Sequence, residues 1–525
     1  ELAPLLEGRL LRELSFIKCA LSKPNEAMDS AKTAVAAFSG MQPTQDLIKA
    51  HATLSALHRE RGQIGKAQEE AYTALRLARV HEMGATEALL SVGLADVGRG
   101  RWELATNVLE RCRRLAVAEE GADSVMAMRC SVLLVECYFE EGMLNKAEEM
   151  VDAAMKLAMG AHQHDVFEHL VALEARTELM RRLSRFEEAL AAAKQRTSLS
   201  RETPGLRCDG LTIALCASGV TLSMCGRFEE AERELEESLS VASSAPFSWN
   251  LERNAHQALG EHFLRRGMPA KAREHLEKAS SIVERVFGSD HVAALQLMAR
   301  RSLALLELGD TAAAVALADE ALTCMETLYA DGSCQVAHVL LCRARAHLAE
   351  GRFLDAKLMA ANARASYSAT FEGYRGQGRR EGVQELVHCK VVMAAASMEM
   401  GHLEEADIVL KKALEMSRRL LDKVTGGRDN WWLPSILWLQ GEVLLRKGDA
   451  ASAIAALSQA KTAFEEVFGN YPSHAHHGRA AEALQRAIAM QGSATSNYIY
   501  REGGGMPNRK FTESYAVLGK ATGEL

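Results

Sequence analysis

The chain has 525 residues, and one apolar core stops growing at roughly 250–300 residues, so it forms several domains or one elongated array. Apolar residues make up 48 % and charged residues 25 %, with only 9 prolines and 5 % aromatics, a composition that fits a folded, nearly all-α protein. The net charge of −7 lacks the concentrated basic face that nucleic acid calls for, and no apolar run approaches the ~20 residues of a membrane helix, so neither function is expected.

In chain order, one pattern recurs: a turn residue, an alanine five residues on, and a small residue seven further. It begins as Ser22/Ala27/Ala34, Gly62/Ala67/Ala74, Gly100/Ala105/Cys112 and Gly142/Ala147/Ala154. It continues as Ser184/Ala189/Arg196, Gly226/Ala231/Ser238, Gly267/Ala272/Ala279 and Gly309/Ala314/Ala321. Gly351/Ala356/Ala363, Gly401/Ala406/Ala413 and Gly448/Ala453/Ala460 complete it. The eleven turn positions lie 40, 38, 42, 42, 42, 41, 42, 42, 50 and 47 residues apart, a register that points to a repeat architecture. Each turn glycine separates two apolar-periodic segments, where a helix–helix turn needs φ > 0. The two small residues share one face of the second helix and let the paired backbones approach. Gly93, Gly219, Gly260 and Gly441, seven before their turns, put a notch in the first helix, and Leu215/Gly219/Leu222 gives the stripe of a buried face.

Gly226-Arg-Phe-Glu-Glu-Ala231, Gly351-Arg-Phe-Leu-Asp-Ala356 and Gly401-His-Leu-Glu-Glu-Ala406 resemble the turn and second-helix opening of the tetratricopeptide family. The period near 42 resembles the long repeats of kinesin light chain-type adaptors. Phe287-Gly-Ser-Asp-His291 sits where that variant carries a Gly-x-Asp-His-Pro turn, without the proline. No heptad coiled coil precedes the array. The resemblance covers about residues 10–490 and implies a right-handed α-solenoid of about eleven helix hairpins whose concave groove takes peptides or helices of other proteins.

The expected organisation is a repeat array over 1–365 (about nine helix pairs), an insertion over 366–385, further repeats and a terminal helix over 386–491, and an extended glycine-containing tail over 492–525. A second turn-rich segment, Thr425–Pro434, holds Gly426-Gly427 and Trp431-Trp432. In the tail, Tyr498, Tyr500, Phe511 and Tyr515 follow or flank a glycine hinge. They dock on a neighbouring subunit, fold back into the groove, or belong to a disordered terminus.

Tyr374–Gly382 holds three glycines between arginines but lacks the Gly-Lys-Ser/Thr ending of a phosphate loop. His474, His476 and His477 have no Cys, Asp or Glu at ligand spacing. The eleven cysteines form no C-x-x-C pair and read as small apolar thiols of a reducing compartment. No serine-elbow, zinc-protease or Walker motif is present. The expectation is therefore a protein that is not an enzyme and needs no metal or cofactor, with a cytoplasmic setting that includes cytoskeleton- or cilium-associated ones.

The family resemblance places the first helix of each pair on the concave face. Counting from the turns puts Asn254, Gln257, Glu261 and Arg265 there, with Arg300, His338 and Arg345 in the next two repeats. Such side chains suit a peptide backbone or acidic groups. Trp431, Trp432 and Trp438 either anchor a partner helix or pack in the core. The expected function is a non-catalytic scaffold or adaptor in a larger assembly, cytoskeletal or ciliary ones among them. The alternative is a ligand- or peptide-sensing helical module of a signalling ATPase or transcription regulator.

Overall fold

The computed structural model describes residues 2–20, 23–39, 45–121, 124–159, 166–183, 185–203, 209–244, 249–289, 291–329, 334–372, 383–425, 432–468 and 475–497. All of the regular structure among them is helical. Hairpins one to four are α1 (Leu2–Ala20) with α2 (Pro24–Ser39), α3 (Gln45–Glu60) with α4 (Ile64–His81), α5 (Ala85–Gly98) with α6 (Trp102–Glu120), and α7 (Val125–Glu140) with α8 (Leu144–Met159). Hairpins five to eight are α9 (Val166–Arg182) with α10 (Phe186–Glu202), α11 (Asp209–Met224) with α12 (Phe228–Ser244), α13 (Trp249–Arg265) with α14 (Pro269–Phe287), and α15 (Val292–Leu308) with α16 (Thr311–Leu328). Hairpins nine to eleven are α17 (Cys334–Glu350) with α18 (Phe353–Glu372), α19 (Val383–Glu399) with α20 (Leu403–Thr425), and α21 (Trp432–Lys447) with α22 (Ala450–Phe468). A last helix, α23 (Ala475–Asn497), packs on α22.

The turn pattern does what its residue types dictate. All nine turn glycines adopt φ between 68° and 87°, a region that a side chain makes costly. At Gly226 the amide of Arg227 donates to the carbonyl of Leu222 at 2.9 Å, the 6→1 bond of a Schellman turn that satisfies an otherwise orphaned carbonyl. Ser22 and Ser184 lie outside the described residues.

The alanine five past the turn is fully buried in all eleven hairpins, from Ala27 to Ala453. The notch glycines receive a leucine nine past the turn. A Cβ on Gly219 would stand 2.6 Å from Leu235, and one on Gly260 would stand 2.6 Å from Leu276. Leu109, Leu235, Leu276 and Leu457, the four leucines in these notches, are all fully buried, each worth roughly 1.5–3 kcal/mol of apolar transfer.

Stacked hairpins rotate slightly relative to one another, and here the rotation brings the array back onto itself. The turn after α3 meets the start of α15: Nε2 of His291 donates to the carbonyl oxygen of Glu60 at 2.9 Å. Tyr329, just after α16, stands against Gly100, and α10 touches α20. One apolar core accordingly joins residues 105–228 to 337–487, while residues 216–349 contribute a second. The superhelix closes after about five to six hairpins, counted from α3 to α15 and from α10 to α20.

Two expected boundaries move. The insertion set at 366–385 has helical edges, because α18 runs to Glu372 and α19 starts at Val383. Helix α23 also continues through residues 492–497, past the point assigned to the tail. A lone glycine such as Gly492 costs a helix only about 1 kcal/mol, too little to stop one already propagating.

Candidate functional site

The odd-numbered helices face inward, and their inner stripes enclose a lumen of about 690 Å³. Each stripe follows helical spacing: Ile213, Ala217, Val220 and Met224 on α11; Asn254, Gln257, Glu261 and Arg265 on α13. The walls differ in character. Helices α7, α9 and α11 present Val132, Leu133, Val171, Ala175, Ile213 and Val220, whereas α13, α15 and α17 present Asn254, Gln257, Gln296, Arg300, Gln335 and His338. Tyr367 of α18 and Glu385 of α19 close the far side.

The polar wall is one hydrogen-bonded chain. Arg253 Nη1 donates to Gln257 Oε1 at 3.0 Å, and Gln257 Nε2 donates to Glu261 Oε1 at 3.0 Å. Arg300 Nε donates to the same carboxylate, whose other oxygen lies 3.6 Å from Arg265 Nη2. Arg300 also bonds the Gln296 carbonyl at 3.1 Å, and Gln296 Nε2 donates to Gln335 Oε1 at 2.9 Å.

Burial alone would raise the Glu261 pKa. Arg300 and Arg265 outweigh it and hold the carboxyl at about 2. Burial, and then the charge of Arg300, bring Arg253 down to about 10, and the same two causes push His338 down to about 3. His338 is therefore neutral at physiological pH, a hydrogen-bonding group rather than a cation.

The other end of the lumen is acidic. Arg181 and Arg182 face Glu136, Glu140 and Glu178; Arg182 reaches Glu140 at 3.3 Å and lies 4.3 Å over the Phe139 ring. Burial raises the pKa of Glu136 and of Glu385. Glu178 leaves 49 % of its side chain to water although the lumen surrounds it. The site is thus a lumen with an apolar stripe on α7, α9 and α11, an amide-rich stripe on α13, α15 and α17, and paired charges beside the first.

Six of the expected groove residues meet here: Asn254, Gln257, Glu261, Arg265, Arg300 and His338. Arg345 does not line the lumen. Its guanidinium is 2 % exposed and sits 3.5 Å from Glu307, itself buried, because α19 packs across that position and sets His388 beside it. Trp438 is buried in the apolar core. The Trp432 side chain, Trp431, Tyr498, Tyr500, Phe511 and Tyr515 lie outside the described residues, as do His474 and Tyr374–Gly382.

The apolar wall and the two glutamines Gln296 and Gln335 are additions to the expected set. Except for Gln335, sixteen before its turn, their signal was the same count: thirteen, nine or ten, and six residues before the turn recover Val171, Glu174 and Glu178 as surely as Asn254, Gln257 and Glu261.

Among the described residues no group of three or more potential ligands is placed to hold a metal, and no helix is long and apolar enough to cross a membrane. Nine described cysteines are free thiols.

Residues 251–327, which span α13 to α16, match the tetratricopeptide repeat family. No curated protein matches the sequence. Among solved structures, BtubC (BKLC) from P. vanneervenii is 18 % identical, with 45 % of this chain and 92 % of that one covered and a TM-score of 0.35. A Rap protein complexed with competence and sporulation factor is 12 % identical, with 70 % and 99 % covered and a TM-score of 0.45. The matched segment carries the same turn and alanine register as the hairpins on either side of it, so the tetratricopeptide repeat that residues 251–327 match recurs in pattern along the array.

Proposed function

We propose that the chain is a non-catalytic adaptor that binds an extended peptide segment of another protein inside the lumen. The observation that carries this reading is the pairing of walls. Asn254, Gln257, Gln296 and Gln335 offer side-chain amides that match a peptide backbone, facing an apolar wall from α7, α9 and α11 suited to alternate side chains. The lumen's mixed charges are largely paired with one another, so the reading does not need a strongly charged ligand. The larger setting, a cytoskeletal or ciliary assembly, rests on repeat length alone.

A peptide-sensing module of a signalling ATPase or transcription regulator is the second reading. The contact between Glu60 and His291 favours it, because two hairpins far apart in the chain are joined directly and can shift together when a ligand binds one of two arrangements better.

Panning a random peptide display library on the intact chain tests the proposal. The control is Ala217→Trp, which fills the lumen from its apolar wall. Peptides of a common pattern should be enriched by the intact chain and lost with the filled lumen. No enrichment, or the same peptides captured by Ala217→Trp, would remove the lumen from consideration.

A further inference from the structure

Three glutamates of the lumen occupy one register position, six residues before their turns: Glu136 on α7, Glu178 on α9 and Glu261 on α13. Helical spacing gives two of them a cation. Glu178 has Arg181 at 2.7 Å and Arg182 at 3.3 Å, and Glu261 has Arg265 at 3.6 Å besides Arg300 from α15. Glu136 makes no ion pair among the described residues. Three and four residues on from it stand Phe139 and Glu140, and Arg182, whose charge it feels, is held by Glu140 and Glu178. Glu385 of α19 is a second such carboxylate. Three and four residues on it has His388, which burial keeps neutral, and Cys389. Its own backbone amide steadies it at the helix start, yet its Oε2 is shut off from water and has no hydrogen-bond partner among the described residues. Both carboxylates feel Arg182 and Glu178, so they belong to the same end of the lumen. The remaining lining carboxylate, Glu174, is paired with Arg196 at 2.8 Å.

We infer, on the reading that the lumen binds a peptide, that the peptide carries a basic side chain, lysine or arginine, which Glu136 and Glu385 receive. A buried carboxylate without a cation costs free energy that a bound ammonium or guanidinium recovers. Burial raises the pKa of both groups, as uncompensated carboxylates require. Val132 and Leu133, on the same helix as Glu136, line the lumen and offer apolar area to the methylene stem of such a side chain. The amide stripe thus holds the backbone of the peptide, whereas these two carboxylates select one of its residues.

Panning a random peptide display library on the intact chain and on the double variant Glu136→Gln with Glu385→Gln reads the selection. The intact chain should enrich peptides with lysine or arginine at one fixed position, and the variant should enrich peptides without that preference. Fluorescence anisotropy on the most enriched peptide then measures the coupling. Replacing its basic residue by norleucine or citrulline should weaken binding to the intact chain about tenfold or more. The double variant should bind the unaltered peptide equally weakly, and the two changes together should cost no more than either alone, which a folding defect does not imitate. The double variant should also melt at or above the temperature of the intact chain, because it loses two uncompensated charges. Enriched peptides with no fixed basic residue, additive losses, or a markedly lower melting temperature would overturn the inference and leave peptide binding standing. No enrichment by the intact chain would overturn both.

Discussion

The imidazole of His291 bridges two turns of the superhelix: Nε2 donates to the Glu60 carbonyl, 231 residues away, while Nδ1 accepts from the Ala293 amide at 3.2 Å. Both bonds require the neutral ring with its proton on Nε2, and burial lowers the His291 pKa in agreement. The ring also stacks on Phe287, with centroids 4.6 Å apart. His291→Ala removes an N-cap of α15 and the cross-turn bond together. The cap alone is worth about 0.5–2 kcal/mol. Hydrogen exchange should quicken around residues 60–63, far along the chain from the substitution. Unchanged exchange there would mean that the two turns do not hold each other.

Acid should loosen the array through its buried and half-buried histidines. Burial holds His262 and His338 at about 3 and His275 at about 4, whereas an unfolded imidazole titrates near 6.5. The unfolded chain thus binds more protons than the folded one once the pH falls below about 6.5. Their contribution is full above that pH and declines toward pH 3–4. For His262, with no solvent exposure, the loss at pH 5 is about 2 kcal/mol. Denaturant midpoints at pH 7 and pH 5 measure it, and His262→Gln should flatten the difference. A midpoint independent of pH would contradict the neutral assignment.

Two glycine-to-alanine changes should have opposite signs. Gly219 faces Leu235 so closely that a methyl group forces the hairpin apart, at a cost of about 1–3 kcal/mol. Gly65, near the start of α4, meets nothing within 4 Å, and alanine there should stabilise by up to about 1 kcal/mol. Thermal melts of the two variants separate packing from propensity. If both shifted in one direction, the notch account would fail.

Arg196 occupies the small-residue position of the fifth hairpin, where other hairpins carry Ala, Cys or Ser. It is 3 % exposed. Its Nη2 donates to Glu174 at 2.8 Å, while Nε and Nη1 have no hydrogen-bond partner among the described residues. Burial lowers its pKa, which marks the charge as poorly compensated. Arg196→Met keeps the volume and removes that charge, so stability should stay level or rise by about 1–4 kcal/mol. A marked loss in chemical denaturation would show that the Glu174 pair outweighs its desolvation.

How much of this was legible in the chain follows from what is local. A turn glycine, an alanine five residues on and a notch seven residues back act within some forty residues, through φ preference and the close approach of two helices. Ala231, Gly219 and Gly226 therefore announce their hairpin without any knowledge of the rest. Asn254 and Glu261 share the lumen face for the same reason, since helical spacing settles which face a residue shares.

Tertiary structure alone decided what depends on the sum of many small rotations between hairpins. No local pattern carries that sum, so only the folded array shows that His291 reaches Glu60 or that Tyr367 and Glu385 close the lumen. It also decides that Arg345, on the inward count, is sealed against Glu307 beneath α19. Residue spacing determined the repeat unit; accumulated superhelical twist determined which of its faces meet and which enclose the lumen.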